Sequence, residues 1–292
     1  MMFKLSPLGY NNQEVIFMSK RKRKTVNSDL VEQGTGENYV PAITIQDFPS
    51  KGRVSRIKGI TTNRQHELFS DLERNYFYYL DYAKDVVDIR EQYALLPIEE
   101  TLLIANELGI EHPYDYINGK SIPMTTDFLI DFIDNDGNII RKVRTLKYKE
   151  ELLNKRIIEK FEIERLYFER QGIDWGIVTE CEIDKNVANI ISDLYTYLII
   201  TEVEGFIELD DEIIEDLKLY FLSLSVDYEG TLRQLCQCFE KSTNLHLGCG
   251  IAMFKHLLIT KKIYIDIYDN FNFNRHIDIS IIEDESKIKS VI

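Results

Sequence analysis

Apolar residues recur at Leu68, Leu72, Phe77 and Leu80 in 65-QHELFSDLERNYFYYLDYA-83, a spacing that predicts a helix over 65–83 with Glu73 among its residues. The next run, 86-VVDIREQYALL-96, is β-branched, partly alternating and closed by Pro97, the pattern of a strand. A short helix is expected over 99–109, stopped by Gly109. Two further strand-like runs, 124-MTTDFLIDFI-133 and 139-IIRKVRTLKY-148, flank Asn135-Asp136-Gly137-Asn138, and an Asp-Gly pair between such runs signals a hairpin. Helical spacing returns over 150–172 through Leu153, Ile157, Phe161, Ile163 and Leu166, stops at Gly172, and gives way to a strand at 175–180.

Helix, hairpin, helix and strand in that order predict the α/β class, a mixed sheet flanked by helices that return apolar faces to it. After residue 182 the pattern becomes helical near 184–199, 209–224, 228–241 and 246–259, then strand-like at 262–269 and 276–282. Helices followed by two short strands predict a mainly α, winged-helix-like C-terminal domain, with Ile251–Ile259 in the recognition-helix place, where the acidity makes contact with protein at least as expected as contact with DNA. The expected division is a flexible basic and polar arm at 1–38, an α/β domain at 39–182 and the C-terminal domain at 183–292. The arm holds the basic run Lys20 to Lys24 and reads either as a solvated tail or as a contact to phosphates.

Composition narrows the function. With 44% apolar and 29% charged residues the 292-residue chain is an ordinary globular one. A net charge of −14 argues against a free-standing, nonspecific DNA binder, since Lys and Arg on phosphates supply most such affinity. Partners are therefore expected to bring it to any DNA it acts on. The four cysteines, Cys181, Cys236, Cys238 and Cys249, lack a paired metal spacing. No apolar stretch approaches the roughly 20 residues that span a bilayer, and no secretory signal opens the chain, so a cytoplasmic location is expected. No Gly-rich phosphate loop and no internal repeat is found.

The chemistry falls on the predicted hairpin. Asp127 begins one strand and Lys147 ends the other, so antiparallel pairing brings them side by side. A carboxylate there suits Mg²⁺, a hard cation that takes few carboxylates plus waters and phosphate oxygens. A neighbouring lysine polarises water or stabilises charge growing on phosphate. Glu73 would supply a second carboxylate. An acid, acid and lysine set of this kind suits phosphodiester hydrolysis, although an Asp and a Lys on neighbouring strands are common as plain surface pairs.

Specificity comes from longer words: 49-PSKGRVSRIKGITTNRQHELFSDLE-73, 89-IREQYALLP-97, 124-MTTDFLID-131, 155-KRIIEKFEIERLYF-168 and 173-IDWGIVTE-180. In these, over about residues 39 to 200, the chain resembles the TnsA endonucleases, subunits of heteromeric transposases. The resemblance implies a restriction-endonuclease-like nuclease domain whose catalytic acids fall on Glu73 and Asp127 and whose lysine falls on Lys147. Thr145 stands where the wider superfamily usually has Glu or Gln, so the Leu146 carbonyl is expected to serve as a metal ligand instead. Glu164 matches a further family acid, and two readings stand for it: a metal-facing acid, or a helix-surface salt bridge with Lys160.

The resemblance further implies cleavage of 5′ strands at transposon ends with Mg²⁺, replaceable by Mn²⁺, in cut-and-paste DNA transposition. A DDE transposase of TnsB type would cut and join the 3′ strands, and an ATP-dependent regulator of TnsC type would bind the C-terminal domain. The basic residues Lys51, Arg53, Arg56, Lys58 and Arg64 are expected to contact DNA phosphates. His66, roughly two helical turns before Glu73, reads as a structural histidine more readily than as a proton-transfer group. Two other readings are a nuclease-fold scaffold that has lost cleavage, permitted by Thr145, and a restriction or repair nuclease acting alone, disfavoured by the acidity.

Overall fold

The computed structural model describes residues 33–46, 53–117, 119–226, 228–267 and 272–282. Lys20 to Lys24 and Lys51 lie outside them. From Gln33 onward the expected arm is docked rather than loose. Gln33 Oε1 accepts the Ala94 N–H at 3.0 Å, the Gly36 N–H donates to Asp88, and the Tyr39 hydroxyl donates to the Glu91 carbonyl at 2.8 Å. These bonds occupy a sheet edge that would otherwise expose unpaired backbone groups.

The first hairpin joins β1 (Ser55–Lys58) and β2 (Gln65–Leu68), antiparallel. The predicted helix over 65–83 therefore begins late. His66 and Leu68 are buried in alternation, as in a half-covered strand, and Ser70 then caps α1 (Asp71–Tyr82). The main sheet has the order β3 (Val86–Ala94), β4 (Thr125–Ile133), β5 (Ile139–Leu146) and β6 (Asp174–Val178). Its first two pairings are antiparallel and the last is parallel, the mixed sheet that the helix and strand order predicts. The β4–β5 turn places Gly137 at φ 82°, a conformation that glycine adopts without steric cost.

Helices cover both faces. Phe128, Ile130 and Leu146 join a core with Leu72, Phe77 and Leu80 of α1. Leu129 and Val143 join Ile104 and Ala105 of α2 (Ile98–Leu108) and Ile163, Tyr167 and Phe168 of α3 (Lys155–Glu169) in a second core. The helix expected over 150–172 is interrupted: Lys149–Leu153 is a 3₁₀ turn, and Asn154 starts α3 by accepting the Arg156 N–H at 2.9 Å. Such a cap stabilises a helix start by about 1 kcal/mol. Leu153, read as a core position, is 90% exposed.

Beyond the sheet, α4 (Lys185–Leu194) packs on α1, and α5 (Asp211–Ser225), α6 (Leu232–Thr243) and α7 (Cys249–Ile259) follow. The first core continues through these helices without a break. α7 is apolar nearly all round and buried at nine of its 11 residues, so it is a central core helix with no face to lay in a DNA groove. Its expected position as a recognition helix is corrected on that ground. α6 and α7 are locked together by Glu240, whose Oε1 accepts the Gly248 and Gly250 N–H groups at 2.7 and 3.0 Å. Of the strands expected at 262–269 and 276–282, the described residues form one short pair, β7 (Ile263–Tyr264) with β8 (Ser280–Ile281).

Candidate active site

Glu73 lies in the first turn of α1, where its carboxylate folds back on the helix start. Ser70 Oγ accepts the Glu73 N–H at 3.1 Å and donates to Glu73 Oε1 at 2.8 Å, and the Phe69 N–H donates to Oε2 at 3.0 Å. The arrangement is close to a capping box, so Glu73 also stabilises the helix that carries it. Burial and the neighbouring Asp127 push its pKa up to about 8, against the opposing effect of these hydrogen bonds and of Lys147.

Asp127 sits near the start of β4 and accepts the Leu146 N–H across the hairpin at 2.6 Å. Burial raises its pKa, opposed by that bond, by Lys147 and by Gln92, whose amide approaches Asp127 at 3.4 Å. Gln92 escaped sequence reasoning. It lies in β3 at φ 48°, opposite Asp127 where the register skips a pair, and nothing in an alternating strand pattern announces a left-handed residue. Lys147 follows β5 directly, its N–H donating to the Val178 carbonyl at 3.0 Å, and its amine stands 3.7 Å from Glu151.

Glu164 is 2% exposed on the inner face of α3. It accepts the Thr145 hydroxyl and, at 3.0 Å, the Trp175 indole N–H. Thr126 stands 3.1 Å behind Thr145. Burial outweighs these bonds and lifts the Glu164 pKa to about 7. The surface salt bridge to Lys160 is not formed, because the carboxylate faces inward toward these donors.

Glu73, Asp127, Thr145, Leu146, Lys147 and Glu164 line a single cleft of about 730 Å³, with Lys160, Phe161 and Met124 on its walls. Among the described residues, no group of three or more His, Cys, Asp or Glu side chains is arranged to hold a metal ion alone. Two buried carboxylates that oppose each other's ionisation nevertheless fit Mg²⁺, which usually takes one or two carboxylates and completes its shell with water and substrate oxygens.

The basic segment divides. Arg53, Arg56 and Lys58 are exposed, and Arg56 pairs with Glu67 at 3.0 Å. Arg64 does not reach DNA: it is 8% exposed, donates to both oxygens of Glu91 and to the Ile89 carbonyl, and lies over the Tyr39 ring. A buried carboxylate needs such a partner. His66 completes that network, fully buried between Thr62 and Glu91 at 2.7 Å each, which is the structural role.

Residues 83–180 match the family model described as TnsA-like endonuclease N terminal, and residues 182–267 match TnsA endonuclease C terminal. The chain is 34% identical over 249 residues to the transposition protein TnsA of transposon Tn7 from Escherichia coli, covering 85% of this chain and 87% of that protein. The chain belongs to the TnsA endonuclease family. Asp127, Thr145, Lys147 and Glu164 fall inside the stretch matched to the TnsA N-terminal model, and Glu73 precedes it.

Proposed function

We propose that this chain is the endonuclease subunit of a heteromeric transposase, hydrolysing 5′ strands at transposon ends with a divalent metal ion, Mg²⁺ or in its place Mn²⁺. The observation that carries the proposal is the convergence of Glu73, Asp127, Lys147 and Glu164 on one cleft. Asp127 and Glu73 hold the ion, with the Leu146 carbonyl and Glu164 as further donors. A bound divalent cation supplies Lewis-acid polarisation of phosphate and lowers the pKa of water. Lys147 neutralises charge that grows on the phosphate during in-line attack. The Leu146 N–H fixes the Asp127 carboxylate, and Thr145 and Trp175 fix Glu164.

The nuclease domain spans 39–182 and the C-terminal domain 183–292, the latter docking an ATP-dependent regulator of TnsC type. A DDE transposase of TnsB type handles the 3′ strands. Among the described residues, no helix is long and apolar enough to cross a membrane. An acidic chain with exposed Arg53, Arg56 and Lys58 suits delivery to DNA by partners, followed by local phosphate contacts. Wild type and Lys147→Ala, each with transposase, regulator, Mg²⁺ and labelled donor DNA, test the reading. Breaks at 5′ ends with wild type alone support it, and equal cutting by both refutes it.

A scaffold without cleavage is the second reading, favoured by the engagement of both Glu73 oxygens in the α1 cap and of Thr145 with Glu164. Titration with Mn²⁺ separates the two, because a scaffold binds none near Asp127.

A further inference from the structure

A second lysine stands in the same cleft. Lys160 lines it together with Lys147, from α3, one helical turn before Glu164. It is exposed at the cleft wall, and partial burial, followed by the cations Arg156 and Lys147, lowers its pKa. Arg156, Lys160 and Glu164 follow one another at four-residue spacing, so they form one row along α3 that leads from solvent to the buried acid. Surface lysines in so acidic a chain find carboxylate partners readily, as Lys155 does with Glu159 and Lys218 with Glu215. Lys160 instead stands on the wall of the cleft that Lys147 also lines, beside Arg156 on its own helix, where a phosphate oxygen offers both lysines a shared counter-charge.

We propose that Lys160 binds a phosphate of the DNA strand being cut, beside the one that Lys147 serves. The proposal rests on the nuclease reading above and deepens it: the strand enters along the α3 row, with Lys160 as an anchor rather than a catalytic residue. A flexible ammonium acts there as a point charge, so arginine in its place retains the function.

The experiment compares the full chain carrying Lys160→Ala, Lys160→Arg or Lys147→Ala, assembled with its transposase partner on donor-end duplex. Binding is followed in EDTA over a salt series, and cutting in Mg²⁺. One lost phosphate contact lowers the magnitude of the slope of log K against log salt by about 0.9. Lys160→Ala is expected to show that loss and a raised KM at near-normal kcat, with Lys160→Arg restoring both. Trace acylation of the wild-type complex should find Lys160 protected by DNA. An unchanged slope, KM and acylation rate overturns the proposal, while normal cutting by Lys147→Ala overturns the nuclease reading and leaves the salt slope to judge Lys160.

Discussion

Thr145 donates its hydroxyl to the buried carboxylate of Glu164, and Thr126 supports it from 3.1 Å away. A residue that looks like a missing ligand in the sequence therefore holds a carboxylate in place. Thr145→Val keeps the shape and removes one donor, leaving Glu164 with the Thr126 hydroxyl and the Trp175 indole. Leaving a buried acceptor short of a donor costs about 1–3 kcal/mol. The variant should show a lower denaturation midpoint and weaker Mn²⁺ binding, and Thr145→Ser should recover both. Unchanged Mn²⁺ affinity in Thr145→Val would detach Glu164 from the metal.

The cleft acids set a pH dependence whose sign is determined. Burial, reinforced for Glu73 by Asp127, raises Glu73 to about 8, and burial raises Glu164 to about 7, both from an ordinary 4.5. Between the unfolded and folded values the native state binds more protons, so stability of the metal-free protein falls as pH rises from about 4.5 to 8. Glu73→Gln should flatten that decline in a thermal series. Metal binding displaces the same protons, so apparent Mn²⁺ affinity should climb over the neutral range. A flat affinity profile from pH 6 to 8 contradicts this account.

Arg64 and Arg56 look alike in the sequence and should behave oppositely. Burial would raise Glu91, but hydrogen bonds from Arg64 and His66 outweigh it and hold the carboxyl at about 2. That stabilisation is present above the unfolded value and lost only as pH falls toward 2. Arg64→Ala strands a buried carboxylate, a change worth about 3–5 kcal/mol, and should sharply lower the melting temperature. Arg56→Ala breaks an exposed pair and should shift it by less than about 1 kcal/mol in equivalent stability. DNA binding should respond to Arg56 and not to Arg64 once folded protein is compared with folded protein.

What was legible followed from which forces a sequence displays. The β4–β5 hairpin shows in its alternation and Asp-Gly turn, and α2 shows in its Gly109 stop. That Asp127 and Lys147 would meet at one end of the hairpin was legible because antiparallel pairing is fixed by that turn. Glu73 was a candidate second carboxylate from the residues but gained specificity only from the resemblance, since an acid in a first helical turn usually serves the cap alone. Arg64 was misread because a count of cations does not register burial. The α1 start was misplaced because helical spacing at Leu68 and Leu72 also fits a strand that ends and a helix that begins. α7 was given the recognition-helix place, facing protein or DNA, from its position in the element order, although its all-round apolarity already pointed to the core.

Gln92 offers the last test, because its backbone and its side chain make separable demands. A non-glycine residue at φ 48° in a strand carries local strain of about 1–3 kcal/mol, kept only where the surroundings fix it. Here its carbonyl accepts the Ala42 N–H at 3.1 Å, its amide oxygen accepts the Thr125 hydroxyl at 3.3 Å, and its amide nitrogen faces Asp127. Gln92→Gly relieves the backbone and deletes the amide. The melting temperature should hold or rise while cutting slows and Mn²⁺ affinity falls. Gln92→Ala keeps the strain, loses the amide, and should fall in both stability and activity. Equal loss of cutting in the two variants, with stability diverging, assigns the amide to orienting Asp127. Full cutting by Gln92→Gly would instead mean that the kink alone matters, as a device for bending β3 around the cleft.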